Sequence, residues 1–219
     1  MITKVCGMRH PENITQLVIL PIDWMGLIFY EKSPRNVKNG EAAAIIAASG
    51  EKVKRVGVFV NEAIDIVVQK VAAFKLSYVQ LHGKESPEYC YDLLEKSAKT
   101  FGCVDDLKII KAFSVDEAFD FEVTNAYAPY VEYFLFDTKG KNPGGNGFAF
   151  DWTLLKKYQG NVPFLLSGGL DEHSAEAIQS LNFSQLVGVD VNSKFEIEPT
   201  LKDIGKVRRF VGQLKLLTS

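Results

Sequence analysis

Short apolar runs recur along the chain and are separated by longer segments in which apolar residues lie three and four positions apart. The runs are rich in β-branched residues and are nearly continuous, which is typical of parallel strands that are buried on both faces. They occupy Ile2–Val5, Met25–Phe29, Val56–Val60, Tyr78–Leu81, Leu107–Lys111, Tyr133–Phe136, Pro163–Leu166 and Leu186–Val189. We therefore predict eight strands.

The segments between these runs predict helices. Apolar residues in Glu62–Phe74 follow helical spacing, so one stripe of this helix should pack against the sheet. Pro11 and Pro87 fit the first turn of a helix, where proline is tolerated. Further helices are predicted over Pro87–Lys99, Phe150–Tyr158 and Asp171–Ser180. We expect a helix after every strand.

This alternation of strands and helices predicts an α/β protein with a parallel sheet, either closed as a barrel or open and doubly wound. The chain has 219 residues. Eight units then have about 27 residues each, near the lower limit of the closed barrel, whereas an open sheet of eight strands normally needs more chain. We predict a single-domain (β/α)8 barrel, the TIM-barrel fold, over residues 1–219.

Composition and charge exclude several classes of partner. The formal net charge is −2 and the lysines are dispersed, which gives no basis for nucleic-acid binding. The N-terminus lacks the pattern of a signal peptide, and the most apolar stretch, residues 17–30, is too short to span a membrane. Three cysteines form neither a disulfide framework nor a CxxC metal pattern. We expect a cytoplasmic protein without nucleic-acid or membrane partners.

A phosphate site is suggested by two features near the end of the chain. The active site of a barrel lies at the C-terminal ends of its strands, and phosphate is often bound there after strands seven and eight by backbone N–H groups. Gly168 and Gly169 follow the seventh predicted strand, and Asn192 and Ser193 follow the eighth. A tight turn explains the glycine pair equally well. We expect a phosphorylated small molecule as the substrate.

One thiol and one carboxylate are the candidate acid–base pair, because no cluster of metal ligands is apparent. Cys6 follows the first predicted strand and Asp137 follows the sixth. A thiolate is a competent base and a carboxylic acid a competent donor. A free thiol titrates near ~8.5, so we expect nearby positive charge to lower the pKa of Cys6. Taken alone, Cys6 is more often a small buried hydrophobe and Asp137 a loop cap.

The chain resembles the phosphoribosylanthranilate isomerases along nearly its whole length. The resemblance lies in ordered motifs distributed over all eight predicted units. They are KVCGM at 4–8, GLIFYEKSPR at 26–35, VGVFVN at 56–61, VQLHG at 79–83, FDT at 136–138, GGNGFAFDW at 144–152, LSGGL at 166–170 and GVDVNS at 188–193.

This resemblance implies an Amadori rearrangement in tryptophan biosynthesis that needs neither cofactor nor metal. N-(5-phosphoribosyl)anthranilate would become 1-(2-carboxyphenylamino)-1-deoxyribulose 5-phosphate. Cys6 would be the general base at C2 of the sugar, Asp137 the general acid at the ring oxygen, and Arg35 the partner of the anthranilate carboxylate. The residues that would surround the phosphate are Gly145, Gly168, Gly169, Asn192 and Ser193. We expect a monomer or a homodimer.

The chain departs from the family pattern beside the expected phosphate. Lys194 and Phe195 stand where a glycine and a small aliphatic residue usually follow, and Asn146 replaces a threonine or serine. Lys194 would then either adopt a positive φ or contact the phosphate. His82 belongs to a family motif, but we interpret it as a packed histidine.

Two other functions fit parts of the pattern. One is another barrel acting on a phosphorylated sugar, such as indole-glycerol-phosphate synthase, which relies on a strand-end lysine; Lys111 is the candidate here. The other is a non-catalytic binding or regulatory protein that kept the fold, for which Lys194 would be the indication. The presence of Cys6, Arg35 and Asp137 argues against the second.

Overall fold

Eight parallel strands close into a barrel in the order of the sequence. The structure is a computed structural model and describes residues 1–102, 107–138 and 152–216. The strands are β1 (Ile2–Val5), β2 (Trp24–Ile28), β3 (Lys54–Phe59), β4 (Tyr78–Leu81), β5 (Lys108–Val115), β6 (Tyr133–Thr138), β7 (Phe164–Ser167) and β8 (Leu186–Val191). Pairing of β1 with β8 closes the barrel, so the predicted (β/α)8 architecture is confirmed and the open sheet is excluded.

In the part of the chain that the structure describes, six α-helices pack around the barrel. They are α1 (Pro11–Leu17), α2 (Ala42–Ser49), α3 (Ile64–Phe74), α4 (Pro87–Phe101), α5 (Ala175–Gln179) and α6 (Ile204–Leu216). Pro11 and Pro87 stand in the first turns of α1 and α4, as predicted. Within the described residues, none of these helices combines the length and the apolar composition that crossing a bilayer requires.

The prediction of a helix after every strand is wrong at β5. Two short 3-10 helices, Phe121–Ala126 and Ala128–Tyr130, connect β5 to β6. Aromatic and β-branched residues have low helix propensity, and Pro129 lacks an N–H group, so a regular α-helix is disfavoured here. The aromatic side chains instead fill the outer core, where the Phe121 ring lies 5.4 Å from that of Phe136.

Two other predicted helices are shorter than expected. The segment predicted as Phe150–Tyr158 is described from residue 152 and forms a 3-10 helix, Trp152–Lys157. The helix predicted over Asp171–Ser180 begins only at Ala175. The reason is local, because Asp171 Oδ1 accepts hydrogen bonds from His173 N at 3.0 Å and Ser174 Oγ at 2.9 Å. Such side-chain turns compete with the first turn of a helix.

Side chains on successive strand positions alternate between the barrel interior and the helix layer. The outward set forms the main hydrophobic core, with large rings such as Phe134, Phe136 and Phe164 fully buried. Inside the barrel, a lower apolar layer is built from Trp24, Val56, Tyr78, Ile110, Leu135 and Leu165, among others. Above that layer the inward positions are mostly polar. The side chains capable of binding or proton transfer therefore lie at the C-terminal ends of the strands.

A hairpin that the sequence analysis did not predict follows β8. It consists of β9 (Glu196–Glu198) and β10 (Leu201–Lys202), which pair antiparallel. Asn13 fixes β10 to α1, because Asn13 Nδ2 donates to Lys202 O at 3.0 Å and Lys202 N donates to Asn13 Oδ1 at 2.8 Å. The hairpin thereby carries Glu196 and Lys202 to the mouth of the barrel.

Arg55 in β3 joins the C-terminal ends of two helices. Its Nε donates to Phe74 O at 2.9 Å and Lys75 O at 3.1 Å, and its Nη1 donates to Gly50 O at 2.7 Å and Ser49 Oγ at 3.0 Å. Carbonyl groups at helix C-termini carry partial negative charge, so a cation between them is favourable. The side chain is buried and its donors are matched to acceptors on both sides.

We expect Arg55→Met to lower the free energy of unfolding by about 2–4 kcal/mol, because helix-end acceptors lose a charged donor while the apolar stem is kept. Urea unfolding followed by circular dichroism measures the loss. Lys99→Met, which removes an exposed ion pair with Glu95, is the control and should change stability by less than about 0.5 kcal/mol. Equal effects of the two substitutions would contradict the role assigned to Arg55.

Candidate active site

A cavity of about 220 Å³ opens at the C-terminal ends of the strands. It brings together most of the residues selected from the sequence, namely Cys6, Asp137, Gly168, Gly169, Asn192 and Ser193. The remaining lining includes Gln80, His82, Ser167, Asp190 and Lys194. Gly145 and Asn146 lie outside the described residues. Arg35 does not line the cavity. It contacts Glu196, which directly follows the turn Ser193–Phe195, and Ser193 and Lys194 in that turn do line the cavity.

Cys6 follows β1 and points into the barrel. Its N–H group donates to Val191 O at 2.9 Å, which continues the pairing with β8. Gly26 on β2 leaves room for the thiol, because a Cβ atom there would lie 2.6 Å from Cys6 Sγ. Glycine at this position of β2 therefore makes room for the Cys6 side chain, and Cys6 as a residue is 4% exposed.

Two ammonium groups act on the Cys6 thiol. Lys4 is fully buried and forms an ion pair with Asp190 at 2.7 Å between Nζ and Oδ2, and its charge acts on the Cys6 thiol. Burial raises the pKa of Cys6, while Lys4 and Lys202 oppose that rise. The positive charge expected from the sequence is present, but the expected lowering of the pKa is wrong for the ligand-free protein, because desolvation of the thiolate outweighs it.

His82 faces Asp137 across the cavity. His82 Nε2 lies 3.4 Å from Asp137 Oδ2, and the two side chains are 29% and 26% exposed. His82 Nδ1 lies 2.9 Å from Gln80 Nε2. If the Gln80 amide donates to Nδ1, the neutral ring carries its proton on Nε2, directed at the carboxylate. The interpretation of His82 as a packed histidine is therefore wrong, since it lines the cavity beside the candidate acid.

Two buried oxygen atoms at the cavity have no hydrogen-bond partner within the part of the chain that the structure describes. They are Gln80 Oε1 and Asp190 Oδ1, and both residues line the cavity. A buried acceptor without a donor costs about 1–3 kcal/mol. The cavity is thus suited to a ligand that carries several hydroxyl groups. The sequence offered no signal for either atom, because their lack of a partner is a property of the packing.

The glycine pair forms a left-handed turn at the edge of the cavity. Gly168 and Gly169 have φ values of +92° and +68°, and a Cβ atom on Gly168 would collide with the backbone of Thr138. Positive φ is costly for other residues, so the turn itself requires glycine. Ser193, Lys194 and Phe195 form a 3-10 turn on the other side of this edge.

Lys194 has no left-handed conformation, so the strained alternative considered for it is wrong. Its side chain is exposed and lines the cavity. Phe195 points the other way and is fully buried, with its ring 5.1 Å from that of Phe210. The two departures from the family pattern therefore have separate physical consequences: the lysine changes the charge of the cavity edge, and the phenylalanine anchors the turn in the core.

Arg35 makes a two-pronged contact with Glu196. Its Nε donates to Oε1 at 2.9 Å and to Oε2 at 3.1 Å, and its Nη2 donates to Oε2 at 2.5 Å. Lys202 Nζ approaches the same carboxylate, at 2.6 Å from Oε1. Neither Glu196 nor Lys202 was selected from the sequence, because the hairpin that brings them to Arg35 was not predicted.

Lys111 does not provide the strand-end lysine that the alternative barrel enzymes would require. Its side chain is 2% exposed, and its ammonium donates to Leu81 O at 3.2 Å, Gly83 O at 2.8 Å and Glu85 Oε2 at 2.9 Å. Three acceptors match the three protons of an ammonium group. Lys111 is therefore a structural cation that holds the loop after β4.

Comparisons with known proteins identify the family. A family model described as N-(5'-phosphoribosyl)anthranilate (PRA) isomerase matches residues 3–213. The N-(5'-phosphoribosyl)anthranilate isomerase of Parabacteroides distasonis is 45% identical over 215 residues, which cover 98% of this chain and 93% of that protein. The chain belongs to the phosphoribosylanthranilate isomerase family. The resemblance seen in the sequence motifs is thereby confirmed.

Solved structures of phosphoribosylanthranilate isomerases share the fold. The enzyme of Thermotoga maritima superposes with a TM-score of 0.82 at 30% identity, covering 98% of this chain and 99% of that one. A phosphoribosylanthranilate isomerase in complex with reduced 1-(o-carboxyphenylamino)-1-deoxyribulose 5-phosphate gives a TM-score of 0.79 at 29% identity, with 98% and 99% coverage. Membership in an isomerase family removes the support for a non-catalytic protein and for a lysine-dependent synthase.

The raised pKa of Cys6 makes a direct prediction. We expect the Cys6 thiol of the ligand-free protein to titrate above the ordinary value of ~8.5, because burial penalises the thiolate. The ultraviolet absorbance of the thiolate, taken as the difference between the wild type and Cys6→Ser, isolates this group from Cys90, whose own pKa burial raises to about 11. A difference titration centred below the ordinary thiol value would contradict the assignment.

Proposed function

We propose that Cys6 and Asp137 carry the proton transfers of the family's reaction in this chain. As a phosphoribosylanthranilate isomerase, the protein converts N-(5'-phosphoribosyl)anthranilate to 1-(2-carboxyphenylamino)-1-deoxyribulose 5-phosphate in tryptophan biosynthesis. The observation that supports the proposed roles is that the thiol and the carboxylate line one cavity together with the glycine turn.

The first proposed step opens the sugar ring. Asp137, in its acid form, gives a proton to the ring oxygen while the bond between that oxygen and C1 breaks and the anthranilate nitrogen forms an iminium with C1. Asp137 is left as a carboxylate, and the Nε2–H group of His82 is close enough to turn toward it. A hydrogen bond to the charged form stabilises that form, so His82 supports the product of the proton transfer.

The second proposed step removes the proton from C2. The Cys6 thiolate accepts it, and the C2 electrons form a double bond to C1 as the iminium is neutralised to an enolamine. Tautomerisation of the enolamine then gives the aminoketose. Lys4 stabilises the thiolate electrostatically, because its ammonium acts on Cys6 and keeps its charge through the ion pair with Asp190. The cationic iminium makes the C2 proton acidic enough for a thiolate to remove.

The rest of the substrate matches the polar groups of the cavity. The sugar hydroxyls supply donors for Gln80 Oε1 and Asp190 Oδ1, which are otherwise unpaired in the described part of the chain. The phosphate would be held by the main chain at Gly168 and Gly169. Ser193, Asn192, Lys194 and Gly145 complete the proposed phosphate set. The side chain of Asn192 faces Lys202, so its part falls to the main chain.

We further propose that residues 1–219 form one barrel domain that works in the cytoplasm as a monomer or a homodimer, without a cofactor. The family match over residues 3–213 supports the single domain. A dimeric phosphoribosylanthranilate isomerase that yields monomers is among the structures with this fold, which is compatible with either state. Analytical ultracentrifugation distinguishes the two.

Exchanging either catalytic group should reduce turnover without loss of binding. Cys6→Ser offers a hydroxyl that is far too weak an acid to be ionised, and Asp137→Asn cannot donate an acidic proton. We expect kcat to fall roughly 10²–10⁴-fold in each, with the affinity for the reduced product analogue nearly unchanged. Activity is followed by the loss of substrate fluorescence. Cys90→Ser is the control and should retain full activity; a folded Cys6 or Asp137 variant above about a tenth of wild-type kcat overturns that residue's role.

Lys194 should strengthen phosphate binding through its charge. We expect Lys194→Gln to raise KM by roughly 2- to 10-fold and to reduce its dependence on salt, because a partly solvated ammonium contributes modestly. The matched control is Lys84→Gln, an exposed lysine at the same end of the barrel that does not line the cavity. Identical salt dependence in the wild type and in Lys194→Gln would remove Lys194 from the proposed phosphate site.

A further inference from the structure

Arg35, Glu196 and Lys202 form a compact group of charges beside the cavity. The Glu196 side chain is 4% exposed, that of Lys202 0% and that of Arg35 19%. Asn192 closes the group, because Lys202 Nζ donates to its Oδ1 at 2.8 Å. Although burial works in the opposite direction, the hydrogen bonds from Arg35 and Lys202 hold the pKa of Glu196 below its ordinary value. Glu196 is therefore a charged carboxylate.

The group lies against the residue that follows the proposed base. A Cβ atom on Gly7 would be 2.7 Å from Asn192 Oδ1, 2.8 Å from Arg35 Cδ and 3.4 Å from Lys202 Nζ. Gly7 also has a φ of +77°, a left-handed conformation that favours glycine at this position. The Arg35 side chain thus runs directly past the chain segment that carries Cys6, and its guanidinium is held on that side of the cavity.

Glu196 occupies one edge of the guanidinium and leaves another edge available. Its oxygens accept from Nε and from Nη2 of Arg35. Nη1 has no hydrogen-bond partner among residues 1–102, 107–138 and 152–216. Guanidinium has five donors in a rigid fork and binds carboxylates in pairs of parallel hydrogen bonds. The edge formed by Nη1 and the second proton of Nη2 can therefore receive a second carboxylate while Glu196 stays in place.

Lys202 determines the net charge that this arrangement presents. The charges of Arg35 and Glu196 alone would cancel, so an anionic substrate would approach a pair with no net charge. Burial lowers the pKa of Lys202, and the Glu196 carboxylate, whose Oε1 lies 2.6 Å from Lys202 Nζ, opposes this. With Lys202 charged, two positive charges face one negative charge. The excess positive charge is accessible at Arg35, because Lys202 is fully buried and Arg35 is the most exposed member of the group.

We propose that Glu196 is a positioning residue that presents the free edge of Arg35 to the anthranilate carboxylate, and that Lys202 leaves the trio with the positive charge this carboxylate needs. The inference rests on the proposed function and on the contact of Arg35 with the anthranilate carboxylate that the family resemblance implies. It assigns no proton transfer to Glu196 or Lys202. In this role both act through Arg35, on binding of the carboxylate end of the substrate. Lys202 also opposes the rise in the pKa of Cys6, so its variant is assessed by the binding of analogues.

Glu196→Gln tests the proposal, since it keeps the shape of the side chain and removes the charge. We expect KM to rise roughly 5- to 50-fold with kcat changed less than about 3-fold, because the lost interaction serves ground and transition states alike. If Glu196 instead competes with the substrate for Arg35, KM falls. Either a fall in KM or a loss confined to kcat overturns the proposal. Thermal unfolding of each variant checks that it is folded.

A double-mutant cycle with Arg35→Ala separates positioning from a structural effect. Glu196→Gln should add little to the KM of Arg35→Ala, because a positioning residue has nothing to position once the guanidinium is gone. Additive effects overturn the proposal. Arg35→Lys is a second variant that leaves the buried carboxylate with a cationic neighbour. A lysine has no second edge, so its KM should approach that of Arg35→Ala; a KM near the wild-type value contradicts the two-edge arrangement.

Two product analogues distinguish failure of this inference from failure of the proposed substrate contact. One is the reduced product analogue, and the other is the same compound without the ring carboxylate. Glu196→Gln and Lys202→Met should weaken binding of the first and leave the second within about 2-fold. If Arg35→Ala weakens the first analogue but Glu196→Gln does not, only the positioning role is wrong. If Arg35→Ala affects both analogues equally, the proposed carboxylate contact itself is wrong.

Discussion

Lys4 and Asp190 form an ion pair inside the barrel at the seam where the first and last strands meet. The register of β1 and β8 aligns the two residues, and the side chains are 0% and 6% exposed. Removing one partner of such a pair costs about 3–5 kcal/mol, whereas replacing both by apolar residues is often neutral. Stability alone therefore gives no reason to have a charged pair here. What it does provide is an ammonium whose charge acts on Cys6 and a carboxylate oxygen at the cavity, so closure of the barrel and the charge environment of the proposed base share one interaction.

The ion pair of Lys4 and Asp190 lies in the upper of two levels inside the barrel. Rings such as Trp24 and Tyr78 fill the lower level, with their centroids 4.5 Å apart, and exclude water from below. Above them, the cavity is lined by Gln80, Asp137 and Asp190 on β4, β6 and β8, and by Cys6 directly after β1. A low local dielectric strengthens each charge interaction and raises the cost of an unpaired group. The same burial that raises the pKa of Cys6 also strengthens the opposing effect of the Lys4 charge on the thiol.

The barrel could be predicted from the sequence because eight short, nearly continuous apolar runs recur along the chain, separated by segments with helical spacing. Strand ends were less certain: β5 was predicted to end at Lys111 and extends to Val115. Cys6 and Asp137 could be selected because the fold places strand ends at the site. His82, Gln80 and Glu196 could not be assigned roles in the same way, because their importance lies in distances to side chains far away in the chain. Glu196 was missed for a further reason, namely that two short strands with the sequence EIE and LK carry too few residues for a period-two pattern.

The turn after β8 lies between the two proposed anion sites, one for the phosphate of the substrate and one for its anthranilate carboxylate. On one side, Lys194 lines the cavity near the glycine turn that would hold the phosphate; on the other, the Asn192 side chain receives Lys202 from the group around Arg35. Phe195 fixes this turn, since its N–H group donates to Asn192 O at 3.0 Å, its carbonyl accepts from Asp203 N at 2.8 Å, and its ring is buried against Phe210. A small aliphatic residue would anchor the turn with less buried area. In the proposed binding mode both anion sites extend from one anchored turn, so the core sets their separation, and the sugar carbons would lie between them near Cys6 and Asp137.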